Sequence, residues 1–256
     1  MKLTGNTIFI TGGTSGIGRA FAEAFYNLGN QVIISGRRKG HLAEVTKANP
    51  GMQSIELNVE DPASIAAVAK KLITNYPKLN AVINNAGIMQ LDDPSAAMDD
   101  AQMVSIITTN LMGPIRMTSA LIEHLKKQPA AYVMTLSSGL AFTPMSGTAV
   151  YCATKAAIHS YSMSMRYKLK NSSVKVIEIV PPWVQTDLLN SKDNPNAMPL
   201  APYIEQTMKL LGTDAAEILV ERVLPLRNNA GPNEAAFVNK FNDIIAQQHE
   251  MEARSQ

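Results

Sequence analysis

The sequence predicts an α/β fold, a doubly wound parallel sheet in a single domain with a helical substrate loop and a C-terminal helix. Three observations lead there. Short apolar, β-rich runs alternate with helix-period segments through the first half of the chain, which implies parallel strands joined by right-handed crossovers. A glycine-rich turn follows the first of those runs. Further on, Ser138 ends a strand, and Tyr151 and Lys155 follow it one helical turn apart.

Taken in order, Thr7 to Thr11 reads as a first strand, and Ile17 to Leu28 as a helix with Ile17, Phe21, Ala24, Phe25 and Leu28 on one side and Gly29 as its stop. Gln31 to Ser35 is a second strand, and Lys39 to Ala48 a helix ended by the turn Asn49-Pro50-Gly51. Ser54 to Leu57 is a strand, Pro62 to Asn75 a helix with Pro at its first position, and Ala81 to Asn84 a strand. Met103 to Lys127 forms a long helical region that Gly113-Pro114 should bend. Tyr132 to Leu136 is a strand, Ala149 to Lys170 a second long helix, and Val174 to Val180 a sixth strand ended by Pro181-Pro182. Asn190 to Pro202, rich in Asn, Pro, Ser and Lys, reads as a long loop within a substrate lid over 190–215. Tyr203 to Leu211, Ala215 to Leu224 and Glu234 to Gln248 have helical character. No repeat or linker divides residues 1–256, so one domain is expected.

Composition narrows the function classes. A hydrophobic fraction of 46% and a charged fraction of 17% suit a globular chain with a sizeable core. A net charge of +2, with no basic block beyond Arg37-Arg38-Lys39, argues against nucleic-acid binding. The single Cys152 excludes an internal disulfide and a multi-cysteine zinc site. His41, His124, His159 and His249 lack ligand spacing and read as structural or solvated, so no metal is expected. Asp92-Asp93 and Asp99-Asp100 read as helix-start and loop acids, not a catalytic pair. With no signal-peptide core and no membrane-length apolar run, a soluble cytoplasmic protein is expected.

The turn Thr11-Gly12-Gly13-Thr14-Ser15-Gly16-Ile17-Gly18 lies between a strand and a helix, where glycines let a pyrophosphate approach bare backbone and the helix N-terminus attracts its charge. At the end of the second strand, Gly36 stands where an NAD site carries an acid for the ribose 2′-OH, and Arg37-Arg38 follow. A missing acid beside two guanidinium groups suits a 2′-phosphate, so NADP(H) is expected in preference to NAD(H). A Lys ammonium beside a phenol favours the phenolate, so Lys155 is expected to draw the Tyr151 pKa down from about 10 and suit it to proton transfer. Ser138 is positioned to hydrogen-bond the same substrate oxygen. Leu140, Phe142 and Met145, between Ser138 and Tyr151, and Trp183 after the sixth strand are candidate apolar walls.

The T-G-x-x-x-G-x-G turn, Asn84-Asn85-Ala86-Gly87, Asn110, Ser138 and Tyr151-x-x-x-Lys155 together resemble the single-domain short-chain dehydrogenases/reductases, over roughly residues 2–189. Segments such as VPPWVQTDL and EILVERVLPLR look most like the DltE-like oxidoreductases within that family. The resemblance implies a Rossmann fold and the reversible reduction of a ketone to a secondary alcohol. It implies Tyr151 as general acid/base, Lys155 as the residue that lowers its pKa and binds the nicotinamide ribose, Ser138 as the carbonyl-orienting hydroxyl, and Asn110 as the holder of a water that links Lys155 to solvent. On the cofactor side it implies Gly12, Thr14, Ser15, Gly16, Ile17 and Gly18 at the pyrophosphate. Asn58-Val59 would meet the adenine, Asn85, Ala86 and Gly87 would line the sheet, and Pro181, Val184 and Thr186 would flank the nicotinamide.

There are departures from the family pattern. Asn58 replaces the usual Asp, and Pro181-Pro182 the usual Pro-Gly. No seventh strand with a following Asp-Gly-Gly is legible; Leu224 to Asn229 stands there instead. In the family that tail builds one tetramer interface, so a homodimer through Met103–Lys127 and Ala149–Lys170 is expected. The substrate would be a small-molecule carbonyl compound or alcohol, medium-sized and mostly uncharged, and a catalytically weak NADP(H)-binding sensor or accessory protein is the alternative.

Overall fold

The computed structural model describes residues 1–254. Its centre is a sheet of seven parallel strands: β1 (Thr7–Ile10), β2 (Gln31–Gly36), β3 (Gln53–Glu56), β4 (Leu79–Asn84), β5 (Ala131–Leu136), β6 (Val174–Val180) and β7 (Glu217–Leu219), in the order β3-β2-β1-β4-β5-β6-β7. The helices between them are α1 (Gly16–Asn27), α2 (Lys39–Ala48), α3 (Pro62–Asn75), α4 (Asp100–Ile107), α5 (Gly113–Leu125), α6 (Ala149–Lys168), α7 (Leu200–Leu211), α8 (Leu224–Arg227) and α9 (Glu234–Arg254). The chain runs outward from β1 to β3, then returns to place β4 beside β1. That reversal opens a crevice beyond the strand ends, where ligands bind in sheets of this kind.

The strand sequences build two cores because successive side chains point to opposite faces. In β1, Ile8 and Ile10 join one core with Phe21 and Phe25 of α1 and Tyr203 and Leu211 of α7. Phe9 faces the other way, into a core with Leu72 of α3 and Met117, Leu121 and Leu125 of α5. β5 is buried at every position, as a central parallel strand covered on both faces requires.

The helix starts follow local chemistry where the sequence provides it. Asp61 caps α3 by accepting from Ala63 N at 2.8 Å with Pro62 following, and Asp99 accepts from Ala101 N at 2.9 Å to cap α4. α6 has no cap of its own at Thr148. Asp92, in the loop after β4, reaches it instead and accepts from Ala149 N at 2.7 Å and Val150 N at 2.9 Å. This long-range cap fixes the helix that carries Tyr151.

Three expectations change. The segment 215–224 is not a helix: Glu217–Leu219 pairs with β6 as a seventh strand, followed by a 3-10 turn and α8. Three residues are too few to show alternation, and edge pairing overrides their helix-favouring composition. The long helix is interrupted just before Gly113-Pro114, by a π-helical turn over Thr108–Met112. The expected lid over 190–215 resolves into a 3-10 segment (Leu188–Asp193), a bridge between Val184 and Met198, and α7, which begins at Leu200 and packs on α1. Among the described residues no helix is long and apolar enough to cross a membrane.

Candidate active site

The glycine turn is shaped by what lies behind it. Gly12 takes a φ of +67°, open to glycine without strain, and a Cβ at Gly18 would lie 2.2 Å from both Gly12 O and the Asn85 amide nitrogen. That amide is a tie: Asn85 Nδ2 donates to Thr11 O and Gly12 O, each at 3.0 Å. The Thr11 hydroxyl accepts in return from Asn85 N and Ala86 N, both at 3.0 Å. The Asn-Asn-Ala-Gly motif after β4 thus braces the turn after β1. Thr11 is a structural member of the site that its sequence position left unassigned. Above the turn, Ser15 makes no side-chain cap bond to α1, which leaves the first N–H groups of that helix to the crevice.

At the end of β2, Arg37 and Arg38 border the same space. Arg37 Nη1 lies 3.6 Å from Glu60 Oε1, an acid that also accepts from the Thr109 hydroxyl at 3.0 Å. The Asn58 side chain accepts from Glu60 N at 3.1 Å and so shapes the turn that carries that acid.

Ser138 follows β5 and is buried; its Oγ accepts from Leu140 N at 3.1 Å. Tyr151 and Lys155 are buried on one side of α6, with the ammonium 5.4 Å from the phenol ring centre. Lys155 Nζ donates to Leu136 O at 2.8 Å, which anchors it to the end of β5. Asn110, in the π turn, accepts from Ile88 N at 2.9 Å and donates to Ile88 O at 2.8 Å, pinning the loop that leads out of the Asn-Asn-Ala-Gly motif. It stands behind the site and is not part of its wall.

The electrostatics correct one expectation. Burial pushes the Tyr151 phenol above its ordinary value; a Ser138 hydrogen bond draws it down by less, and Cys152 adds a little to the rise. Lys155 is itself pulled down by burial, from 10.5 to about 8, against the attraction of Glu178. Desolvation is the largest influence on both groups.

These side chains open on one cavity of about 600 Å³. Every cofactor-side residue expected from the sequence, from Gly12 to Thr186, lines it together with Ser138, Tyr151 and Lys155. Asp187, Leu188 and Ser191 also line it, and sequence reasoning missed them. The Ser191 hydroxyl lies within 3.2 Å of the Val184, Thr186 and Leu188 carbonyls and holds that loop together, a role no local pattern signals. Leu140, Phe142, Met145 and Trp183 are not among the lining residues. The Phe142 ring is engaged elsewhere, edge-on to His159 at 4.7 Å and 4.5 Å from the Arg227 guanidinium. His159 Nδ1 is hydrogen-bonded to the buried Glu178 at 2.8 Å, and Arg227 is ion-paired with Glu217 at 2.9 Å. Cys152 is a buried thiol held by Met145 and Thr148.

The Lys155 shift has a thermodynamic signature. Between about pH 8 and 10.5 the unfolded chain holds a proton on this lysine that the folded chain does not, so this group makes the fold gain stability as pH rises through that window. Tyr151 acts with the opposite sign above 10, where the fold retains a proton that the unfolded chain loses. Urea titrations of wild type and Lys155→Met should therefore give a wild-type-minus-variant stability difference that climbs between pH 8 and 10. A difference independent of pH would contradict the assignment.

Comparison with known proteins converges on the same architecture. The sequence model of the family described as short chain dehydrogenase matches residues 6–197. The oxidoreductase DltE of Bacillus subtilis (strain 168) is 37% identical over 234 residues, 89% of this chain and 93% of that protein. Sulfoacetaldehyde reductase 2 of Chromohalobacter salexigens is 27% identical over 216 residues, 83% of this chain and 86% of that one. A solved short-chain dehydrogenase of Burkholderia cenocepacia J2315 in complex with NADP superposes with a TM-score of 0.83 at 21% identity, covering 94% of this chain and 98% of the other. That last likeness speaks for the fold alone, whereas the family match over most of the chain and the resemblance to DltE along nearly its whole length speak for descent. The chain belongs to the short-chain dehydrogenase/reductase family of oxidoreductases.

Proposed function

We propose that this protein is an NADP(H)-dependent carbonyl reductase that interconverts a ketone and a secondary alcohol. The observation that carries this reading is the continuity of one cavity, from two arginines through a bare glycine turn to a serine, a tyrosine and a lysine. The residues fit a dinucleotide phosphate. The turn has no room for a Cβ at Gly18, α1 presents uncapped N–H groups, and Arg37 and Arg38 line the same cavity and would supply the charge that a 2′-phosphate takes. The NADP in the Burkholderia structure is consistent with this.

When bound, the nicotinamide supplies the hydride; the protein's work is orientation and proton transfer. In the reduction direction the Ser138 hydroxyl donates a hydrogen bond to the substrate carbonyl oxygen as charge grows there. Tyr151 then gives its proton to that oxygen. A phenol whose pKa is raised by burial keeps its proton at neutral pH, as an acid must, and still yields it readily to a more basic alkoxide. Lys155, its pKa lowered by burial to about 8 and its Nζ anchored on Leu136 O, would hold or return a proton and meet the ribose hydroxyls. Asn110 acts at one remove, by fixing the Ile88 backbone beside the site. Within this proposal the loop that carries Leu188 and Ser191, both of which line the cavity, is the substrate loop.

A homodimer through α4 and α6 completes the proposal. Val104 and Ile107 of α4, and Met163 and Tyr167 of α6, are exposed large apolar residues at helical-face spacing.

Tyr151→Phe should lower kcat by about 100- to 10,000-fold with ethyl acetoacetate or cyclohexanone, while NADPH still binds by fluorescence. Retained turnover would overturn the acid assignment, and a wild type that binds NADPH but reduces neither ketone would favour the accessory-protein reading. Wild-type kcat/KM should favour NADPH over NADH by about tenfold or more, and Arg37→Asp should erase that margin; equal efficiency in the wild type would remove the 2′-phosphate reading. Light scattering should give twice the 27.7 kDa chain mass, and Val104→Asp with Met163→Asp should halve it; a stable tetramer, or a dimer untouched by the pair, would count against this interface.

A further inference from the structure

The separation of Ser138 from Tyr151 is carried by a loop of two 3-10 turns, Gly139–Ala141 and Ser146–Thr148. The backbone groups of such a loop need partners. For Phe142 O, Pro144 O and Ser146 N they come from the C-terminal part of the chain, beyond the residues 6–197 matched to the family.

Asn229 Nδ2 donates to Phe142 O at 3.1 Å and to the Thr143 hydroxyl. Thr143, fully buried, donates from that hydroxyl to Leu226 O at 3.1 Å. On α9, Asn242 donates from Nδ2 to Pro144 O at 3.0 Å and accepts on Oδ1 from Ser146 N at 2.6 Å. The Arg227 guanidinium lies against the Phe142 ring and is itself fixed by Glu217. At the other end of the loop, a Cβ on Gly139 would sit 2.7 Å from Leu226 Cδ1 and 2.8 Å from Val223 Cγ2, so the side chains of Leu226 and Val223 pack directly on the backbone one residue after Ser138.

We infer that the segment from Val223 to Asn242 is a positioning clamp for the Ser138–Tyr151 loop, with Asn229 and Asn242 as its positioning residues. Both asparagines act on backbone atoms between the two hydroxyls, and neither lines the cavity. Their influence on turnover therefore passes through the placement of Ser138 and Tyr151 and leaves the cofactor end alone. The kinetic consequence rests on the reductase function proposed above; the docking of the tail on the loop does not.

The test uses the full chain carrying Asn229→Ala and Asn242→Ala. With ethyl acetoacetate, kcat should fall by about tenfold or more, since small misplacements of reacting groups are costly, while the NADPH Kd by fluorescence stays within about twofold. Asn242→Asp, which keeps the acceptor for Ser146 N, should recover part of what Asn242→Ala alone loses. Hydrogen exchange should speed up across residues 139–148 and stay unchanged across the glycine turn at residues 11–18. Wild-type kcat in the double variant, or a loss of NADPH affinity in step with kcat, would overturn the clamp. If the wild type reduces no ketone, the reductase reading fails on its own, and hydrogen exchange decides: unchanged protection over residues 139–148 overturns the clamp.

Discussion

The cross-tie between Thr11 and Asn85 is the interaction on which the site depends. β1 and β4 lie side by side because the strand order reverses there, and the crevice that results would be a loose gap between two loop starts without a link. One hydroxyl and one carboxamide provide it, each bonded to the other's backbone. The glycine turn is held against the strand that leads to Ile88, Ile88 is held by Asn110, and the π turn that carries Asn110 follows α4. Lys155 closes the circuit on the end of β5. Buried polar groups are costly unless paired, and in this protein the pairing around the site ties strand ends to the loops and helices beside them.

What the sequence makes legible and what it hides divide along the range of the interactions. Strands β1, β2, β4, β5 and β6 are short, mostly apolar runs, and their neighbours in the chain decide their form. The glycine turn, Ser138, Tyr151 and Lys155 stand out because their chemistry demands residue types at fixed spacing. The cap on α6 does not, because Asp92 and Ala149 are far apart in the chain and nothing near either one announces the other. Ser191 holds three carbonyls by tertiary folding alone, and β7 is a strand only because β6 offers it an edge. Phe142 looks like a pocket wall from its position between Ser138 and Tyr151, yet its ring is taken by His159 and Arg227, the latter from a stretch that a linear reading assigns to nothing.

The Tyr151–Lys155 pair shows why spacing alone misjudges electrostatics. A helical turn brings the two side chains to one face, and the sign of their mutual effect follows from charge. Its size does not, because it competes with the loss of water around each group. Here burial prevails for both, leaving a firmly protonated phenol beside an amine whose pKa is lowered to about 8. The proton inventory of the site is thus set by the depth of α6 against the sheet as much as by which residues it carries.

The open start of α1 has a consequence for the chain as a folding unit. Ser15 supplies no cap, so the first turn of the helix remains short of acceptors while the rest of the β1–α1 unit is tightly packed. An anion seated there supplies the acceptors that the side chain withholds. Affinity for that anion and stability of the first βα unit then become a single thermodynamic quantity read in two ways, and the protein carries in its fold a direct gauge of how much ligand surrounds it.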